Sequence, residues 1–268
     1  MAHYTPSDHS FAVCAYKENP YLEQTIESLE AQWTKSRVFV STSTPNDYIR
    51  DICERHGLPL TVNPAPHLAG DDWNWAYDAA ETPLVTIVHQ DDIYDPTFLT
   101  ETLRALNARK HADALIAFTD YWELRDGERV YKNRLLGLKR AMLAPLGLPG
   151  GANARWLRRR ILAFGDPICC PAVTFNKELC GPAVFDTSMV NSCDYKTWVD
   201  LSAHKGAFVY IPQQLMGHRI YAESATTANL ASNVRQQEDA QIFASLWPAW
   251  IARRVAHAYE KSGESNEV

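Results

Sequence analysis

Two adjacent carboxylates, Asp91-Asp92, follow the apolar run Leu84-Val85-Thr86-Ile87-Val88 and the dipeptide His89-Gln90. An apolar run of this length reads as a buried parallel strand. Asp95-Pro96 predicts a helix directly after it, with Asp as N-cap and Pro at the first helical position. The pair therefore falls in a loop at the carboxyl end of a strand, where open α/β sheets place their ligands. Two neighbouring carboxylates repel each other and stay ionised only beside a cation or a set of donors. A divalent metal carrying phosphates suits that requirement. The alternative reading is a solvated turn that caps the helix.

The elements that would position this pair alternate strand and helix. Phe11 to Ala15 reads as a first strand. Asn19-Pro20 opens a helix with Leu22, Ile26, Leu29 and Trp33 on one face. Val38-Phe39-Val40 is a second strand, followed by a helix to about His56. Leu58 to Val62 is a third, weaker strand, and Asp71 to Ala80 a Trp-rich helix. Repeated units of this length predict a parallel sheet with right-handed crossovers. Further on, Asp113 to Phe118 reads as a strand. Leu124 and Val130-Tyr131 form a hairpin about the Asp126-Gly127 turn, and Gly206 to Pro212 is another strand. From Asn233 the chain is helical, with a break at Pro248.

Composition narrows the function classes. A chain of 268 residues, 46% hydrophobic and 22% charged, can bury one large core or two small ones. The net charge of -6 argues against nucleic acid as a partner. No apolar stretch is long enough to span a bilayer, and the first ten residues do not read as a signal peptide. Cys14, Cys53, Cys169, Cys170, Cys180 and Cys193 contain no C-x-x-C pair, so they read as reduced core thiols of a cytoplasmic protein. Residues 132–164 hold Lys132, Arg134, Lys139, Arg140, Arg155, Arg158, Arg159 and Arg160 and no acidic residue, which leaves the rest of the chain at -14. Leu135, Leu136, Leu138, Met142, Leu143, Trp156 and Ile161 are interleaved with them. Such a segment fits peripheral attachment to an anionic membrane at its inner face, a helical subdomain packed on the core, or a contact between subunits.

The order of these pieces resembles the GT-A fold glycosyltransferases of family 2, the inverting, nucleotide-sugar-dependent family, over about residues 10 to 225. Tyr21-Leu22-Glu23 with Ile26 and Ser28-Leu29 is similar to the family's opening helix. Gly70, Asn74 and Ala79 match its glycine-to-asparagine helix, and His89-Gln90-Asp91-Asp92 falls at its metal motif. Asn191-Ser192-Cys193-Asp194 falls where the helix bearing the catalytic base begins. His218-Arg219-Ile220-Tyr221 with Ser224 and Thr226 resembles the closing segment. There are departures. Ser41-Thr42-Ser43 replaces the acidic pair that faces the nucleotide base, His89 the first metal-motif carboxylate, Trp73 an arginine, and Tyr221 a histidine.

The resemblance implies a GT-A domain over residues 1–225 with a basic helical insertion at about 132–164, and a helical C-terminal extension over 226–268. It implies transfer of a sugar from a nucleoside diphosphate, UDP by default, to a saccharide or lipid-linked acceptor hydroxyl with inversion, as in surface polysaccharide or glycolipid synthesis. Asp92 would bind Mg²⁺ or Mn²⁺, with His218 as a further ligand or an ordinary core histidine. Asp91 would hold the donor ribose or share the metal. Ala15, Tyr16, Lys17 and Ser43 would line the donor pocket. Asn74 would contact the donor or cap a helix turn, and Arg219 would grip the diphosphate or serve a structural ion pair. Asp194 would take the acceptor proton, with Asp200 or Glu223 next in line, or act as a plain N-cap. A sugar-1-phosphate nucleotidyltransferase is the first alternative, but it calls for a glycine-rich loop after the first strand, and Ala15-Tyr16-Lys17-Glu18-Asn19 has no glycine. A non-catalytic binding or assembly module is the second. A donor-hydrolysis assay separates it from an enzyme.

Overall fold

Among the described residues nine strands form one continuous sheet because the apolar runs alternate with amphipathic helices that cover both faces. The computed structural model describes residues 3–66, 68–108, 113–221 and 233–263. The strands are β1 (His9–Ala15), β2 (Arg37–Thr42), β3 (Leu60–Val62), β4 (Leu84–His89), β5 (Ile93–Tyr94), β6 (Ala114–Arg125), β7 (Glu128–Val130), β8 (Val173–Asn176) and β9 (Ala207–Ile220). Their order is β3-β2-β1-β4-β8-β6-β9-β5, with β7 paired to β6 as a hairpin arm. The first four strands are mutually parallel, β8 runs against β4 and β6, and β6 is parallel to β9. This is the mostly parallel, helix-flanked GT-A sheet that the sequence implies.

The helices are α1 (Leu22–Glu30), α2 (Asp47–His56), α3 (Ala69–Ala79), α4 (Phe98–Leu106), α5 (Arg134–Leu143), α6 (Arg155–Leu162), α7 (Lys177–Cys180), α8 (Cys193–Ser202), α9 (Asn233–Leu246) and α10 (Ala249–Gly263). On α1, Leu22, Ile26 and Leu29 are buried as their spacing demands. Trp33 is a correction: the helix ends before it, and its side chain is 75% exposed. Asp95 is a second correction. It does not cap α4, whose N-cap is Thr97. Ile93-Tyr94 is drawn into the sheet as β5, so the chain needs a turn first, and Asp95 accepts the Thr97 N–H and hydroxyl at 2.9 and 2.6 Å to make it. The Asp126-Gly127 turn has both residues at positive φ, 48° and 82°, as a tight hairpin requires. All six cysteines are free thiols.

Two features aim the strand ends. β9 is twice the expected length. Register shifts at Thr119, Asp120 and Tyr121 of β6 let it bend and run on past Pro212. Gly217 then lies flat against the Trp122 indole, where a Cβ would fall 2.3 Å from the ring. That close approach lets β5 pair with β9, Ile93 opposite Gly217. The C-terminal helices are not a separate body, since Ile242, Phe243 and Ala252 are buried in the same core as Trp198 and Phe175. No described helix is long and apolar enough to cross a membrane.

Inside the sheet, His9 bridges β1 to its neighbours. Its ring nitrogens lie 2.9 Å from the hydroxyls of Ser36 and Thr86. Burial lowers its pKa to about 3. The folded state therefore excludes a proton that the unfolded chain binds below its ordinary value near 6.5. Stability contributed this way is complete above that value and is lost as pH falls toward 3. Urea unfolding at pH 7.5 and 5.5 should show the wild type losing about 1.4 kcal/mol more than His9→Gln over that interval. Parallel losses in the two proteins would contradict the assignment.

Candidate active site

Asp92 is the centre of the site. It ends the loop after β4 and is fully buried. The β5–β9 register carries it to β9, where its Oδ1 accepts the Arg219 N–H at 2.9 Å and faces His218 Nδ1 at 3.1 Å. Oδ2 is buried without a hydrogen-bond partner among the described residues, as is His89 Nε2. Burial alone would raise the Asp92 pKa. The charge and hydrogen bond of His218, then His89 and the Arg219 N–H, outweigh it and hold the carboxyl below its ordinary value. His218 is shifted the other way: burial opposes its charge, but Asp92 prevails and raises its pKa. This is no solvated turn.

Asp91 is held differently. Its carboxylate accepts the Tyr221 hydroxyl at 2.9 Å, and Asn19 donates to the same phenol at 3.1 Å. Burial, then the charge of Asp92, raises the Asp91 pKa. Arg219 is half committed. Its Nε donates to the Asp91 carbonyl at 2.8 Å, one terminal nitrogen donates to Gln24, and the guanidinium stacks 3.8 Å from the Tyr21 ring centroid. It therefore fixes the Asp91 backbone, and among the described residues no carboxylate forms the ion pair considered from the sequence.

The donor-side loop follows β1. Ala15 is buried at the strand end, while the Tyr16 ring is 51% exposed. Gln90 clamps the Tyr16 backbone, accepting its N–H at 2.8 Å and donating to its carbonyl at 3.1 Å. Lys17 sits at φ 56°, a strained conformation for a non-glycine residue. Thr44 Oγ1 holds it by accepting its N–H at 2.6 Å. Ser43 donates to Asp72 at 2.6 Å. Asn74 is a correction. It is 8% exposed, and both ends of its amide are taken by the Phe185 backbone at 2.8 and 2.9 Å, so it ties α3 to the 185 loop rather than facing a ligand. Trp73 stacks on His89, ring centroids 4.8 Å apart.

Asp194 lies in the first turn of α8. It is not the N-cap, which is Ser192, and among the described residues its Oδ1 accepts the N–H of its neighbour Tyr195 at 2.8 Å. The helix beneath it is held at both ends. Glu238 on α9 accepts three successive N–H groups, those of Val190, Asn191 and Ser192, at 2.6, 2.9 and 3.0 Å. At the other end Arg158, 1% exposed, donates to the carbonyls of Ser202, His204 and Gly206. A carboxylate at the N-terminus and a cation at the C-terminus match the helix dipole. Asp200 pairs with Lys196 on the outer side of α8. Glu223, Ser224 and Thr226 lie outside the described residues.

Four residues of this region escaped the sequence reading. Asp166 neighbours Asp194, and burial together with that charge raises its pKa well above the ordinary value. Glu238, Asp239 and Arg235 arrive from α9, with Asp239 accepting the Ser192 hydroxyl at 2.8 Å and pushed up to about 6, first by burial. Only an Asp-Pro dipeptide at 166 and an acidic pair at 238 would have marked them. The basic insertion is spent largely on the protein itself. Arg140 pairs with Asp120, Lys139 donates to the Tyr121 hydroxyl at 3.0 Å, Arg155 binds the Ala203 carbonyl, and Arg160 stacks on Trp247. It is a subdomain packed on the core, with Leu138, Leu148, Trp156 and Phe164 exposed.

The donor set tolerates a divalent metal. No group of three or more His, Cys, Asp or Glu side chains is assembled to hold an ion among the described residues. Asp92 Oδ2, however, is a buried acceptor with no hydrogen bond among the described residues and His89 Nδ1 3.9 Å away, and Asp92 orients His218 through Nδ1, leaving Nε2 as the imidazole's ligand atom when neutral. Mg²⁺ is commonly held by one or two protein groups while substrate phosphates and water complete its shell.

The family model described as glycosyl transferase family 2 matches residues 10–163. No curated protein matches. Among solved structures, S. aureus TarS in complex with UDP-GlcNAc superposes with a TM-score of 0.63 at 15% identity, covering 93% of this chain and 70% of that one. The mannosyltransferase PcManGT from Pyrobaculum calidifontis in complex with GDP-Man and Mn²⁺ gives 0.63 at 16% identity, covering 98% and 78%. Glucosyl-3-phosphoglycerate synthase from Mycobacterium tuberculosis in complex with Mn²⁺, uridine-diphosphate and phosphoglyceric acid gives 0.56 at 14%, covering 90% and 78%. These three are likenesses of fold.

Asp92→Asn keeps an acceptor for the Arg219 N–H but removes the charge. The variant should fold and lose the extra thermal stabilisation that Mn²⁺ adds to a bound nucleoside diphosphate. An Mn²⁺-dependent shift equal to the wild type's would contradict the role of Asp92.

Proposed function

The chain belongs to glycosyl transferase family 2, and from that premise we propose an inverting transfer of a sugar from a UDP- or GDP-linked donor to an acceptor hydroxyl. The carrying observation is the buried Asp92, with one oxygen fixed by β9 and the other unpartnered at the carboxyl end of β4. Asp92 and His218 would hold Mg²⁺ or Mn²⁺, which when bound relieves negative charge on the diphosphate as it leaves. The bound Mn²⁺ and the uridine and guanosine nucleotides of the structural neighbours support that choice of partners.

The chain's own residues divide the remaining work. Asp91, whose carboxylate Tyr221 aligns, would accept from a donor ribose hydroxyl. Arg219 fixes the Asp91 backbone. Tyr16 and Lys17 border the nucleotide. Asp194 takes the proton of the acceptor hydroxyl as its oxygen bonds to the anomeric carbon, and the bond from that carbon to the diphosphate oxygen breaks with its electron pair. Attack opposite the leaving group inverts the anomeric centre and needs a single base. The acceptor, a saccharide or a lipid-linked hydroxyl, would enter between Asp194 and the C-terminal helices.

Asp194→Asn preserves size and removes the proton acceptor. Nucleotide binding by calorimetry should be unchanged, and transfer at saturating donor should fall by about 10²- to 10⁴-fold. Near-normal transfer would move the base to another carboxylate, Asp166 first. Loss of both binding and folding would mark Asp194 as structural.

A further inference from the structure

We infer that Asp72 reads the nucleobase of the donor, accepting the ring N–H of uracil or guanine and rejecting bases that present a bare ring nitrogen there. The inference rests on the donor reading above and adds the base-recognising residue to it. Asp72 stands in the first turn of α3, but the helix end does not require it. Asp71 accepts the Leu68 N–H at 2.8 Å and provides the cap. Asp72 turns instead toward the sheet. Ser43, the residue after β2, donates its hydroxyl to Oδ2 at 2.6 Å. Asn63, the residue after β3, donates its amide nitrogen to Oδ1 at 2.8 Å. Cys14, near the end of β1, lies close enough that the Asp72 charge adds to burial in raising its thiol pKa. The carboxyl ends of three adjacent parallel strands thus converge on one carboxylate.

The Asn63 amide is itself fixed. Asn63 is 6% exposed, its Oδ1 accepts the Ala65 N–H at 3.1 Å, and its own N–H bonds the Thr42 carbonyl at 2.8 Å. Among the described residues no Lys or Arg pairs with Asp72. An ionised carboxylate has about four acceptor positions, and here two are used by the protein. The single Ser43 hydroxyl donor and one of the two Asn63 amide N–H groups are spent on Asp72, so what Asp72 itself has left to offer a ligand is its remaining acceptor positions. Uracil offers N3–H, and guanine offers N1–H with its exocyclic amine. Cytosine N3 and adenine N1 would set lone pair against lone pair. Half-exposed Tyr16, whose backbone Gln90 holds just after β1, offers its ring as a face for the base on the same edge of the sheet.

The test is calorimetric titration of UDP, GDP, CDP and ADP, each with Mn²⁺, into the wild type and Asp72→Asn, with inorganic pyrophosphate plus Mn²⁺ as a control for the metal-diphosphate end. The wild type should bind UDP or GDP about 10- to 100-fold tighter than CDP and ADP, the range for a hydrogen bond to a charged acceptor. The UDP and GDP arms tell which base is read. In Asp72→Asn that preference should close or reverse while pyrophosphate binding is unchanged. Ser43→Ala, which removes one orienting bond, should narrow the preference part way, and it decides the matter if Asp72→Asn does not fold. Equal binding of all four nucleotides by the wild type, or a preference untouched in the variants, would overturn the role of Asp72 and leave the transferase reading standing. Failure of the wild type to bind any nucleotide would overturn both.

Discussion

A carboxylate with no exposure to solvent, Asp92, must be compensated by donors on the protein, and the architecture around the site follows from that requirement. Burying an unpaired charge costs several kcal/mol or forces neutralisation. Here the compensation comes from residues more than a hundred positions away, the Arg219 N–H and His218. They reach Asp92 only because β9 bends, runs on past Pro212, and packs its glycine flat on Trp122. The short β5 then locks the register. The same arrangement leaves Asp92 Oδ2 without a hydrogen-bond partner among the described residues, and the proposed metal site rests on that opening.

The helix that carries Asp194 is clamped by two charges from distant parts of the chain. The insertion supplies Arg158 at the carbonyl end of α8, and the C-terminal extension supplies Glu238 at its N–H end. Each charge sits where the helix dipole favours it. The two segments are thereby joined through α8, whose first turn carries Asp194. Arg158 is as buried as the core leucines, so its charge belongs to this clamp and not to the surface.

The parts legible in the sequence were those set by local patterns. The apolar runs gave β1, β2 and β4, the Asp126-Gly127 dipeptide gave its hairpin, and Pro248 gave the helix break. The carboxylate loop after β4 was legible because strand, loop and acid follow one another directly. What escaped was decided by tertiary partners. A two-residue strand such as β5 has no periodicity of its own. Asp72 looks like one more acid at a helix start until Ser43 and Asn63 are seen to hold it. The eight basic residues of 132–164 left membrane, core and subunit contact all open in the sequence, because the carbonyls and aromatic rings that take up Arg155, Arg158 and Arg160 come from α8, β9 and the C-terminal helices. Asn74 kept its family position but is occupied by the Phe185 backbone, and no sequence pattern distinguishes an amide facing a ligand from one facing a loop.

The most direct test of the Asp92 centre is anomalous scattering from Mn²⁺ in crystals of the wild-type protein grown with a nucleoside diphosphate. The account predicts one strong peak roughly 2 Å from Asp92 Oδ2, with His218 and the diphosphate beside it. A well-ordered nucleotide bound without a peak there, or with the metal held by other residues, would contradict it.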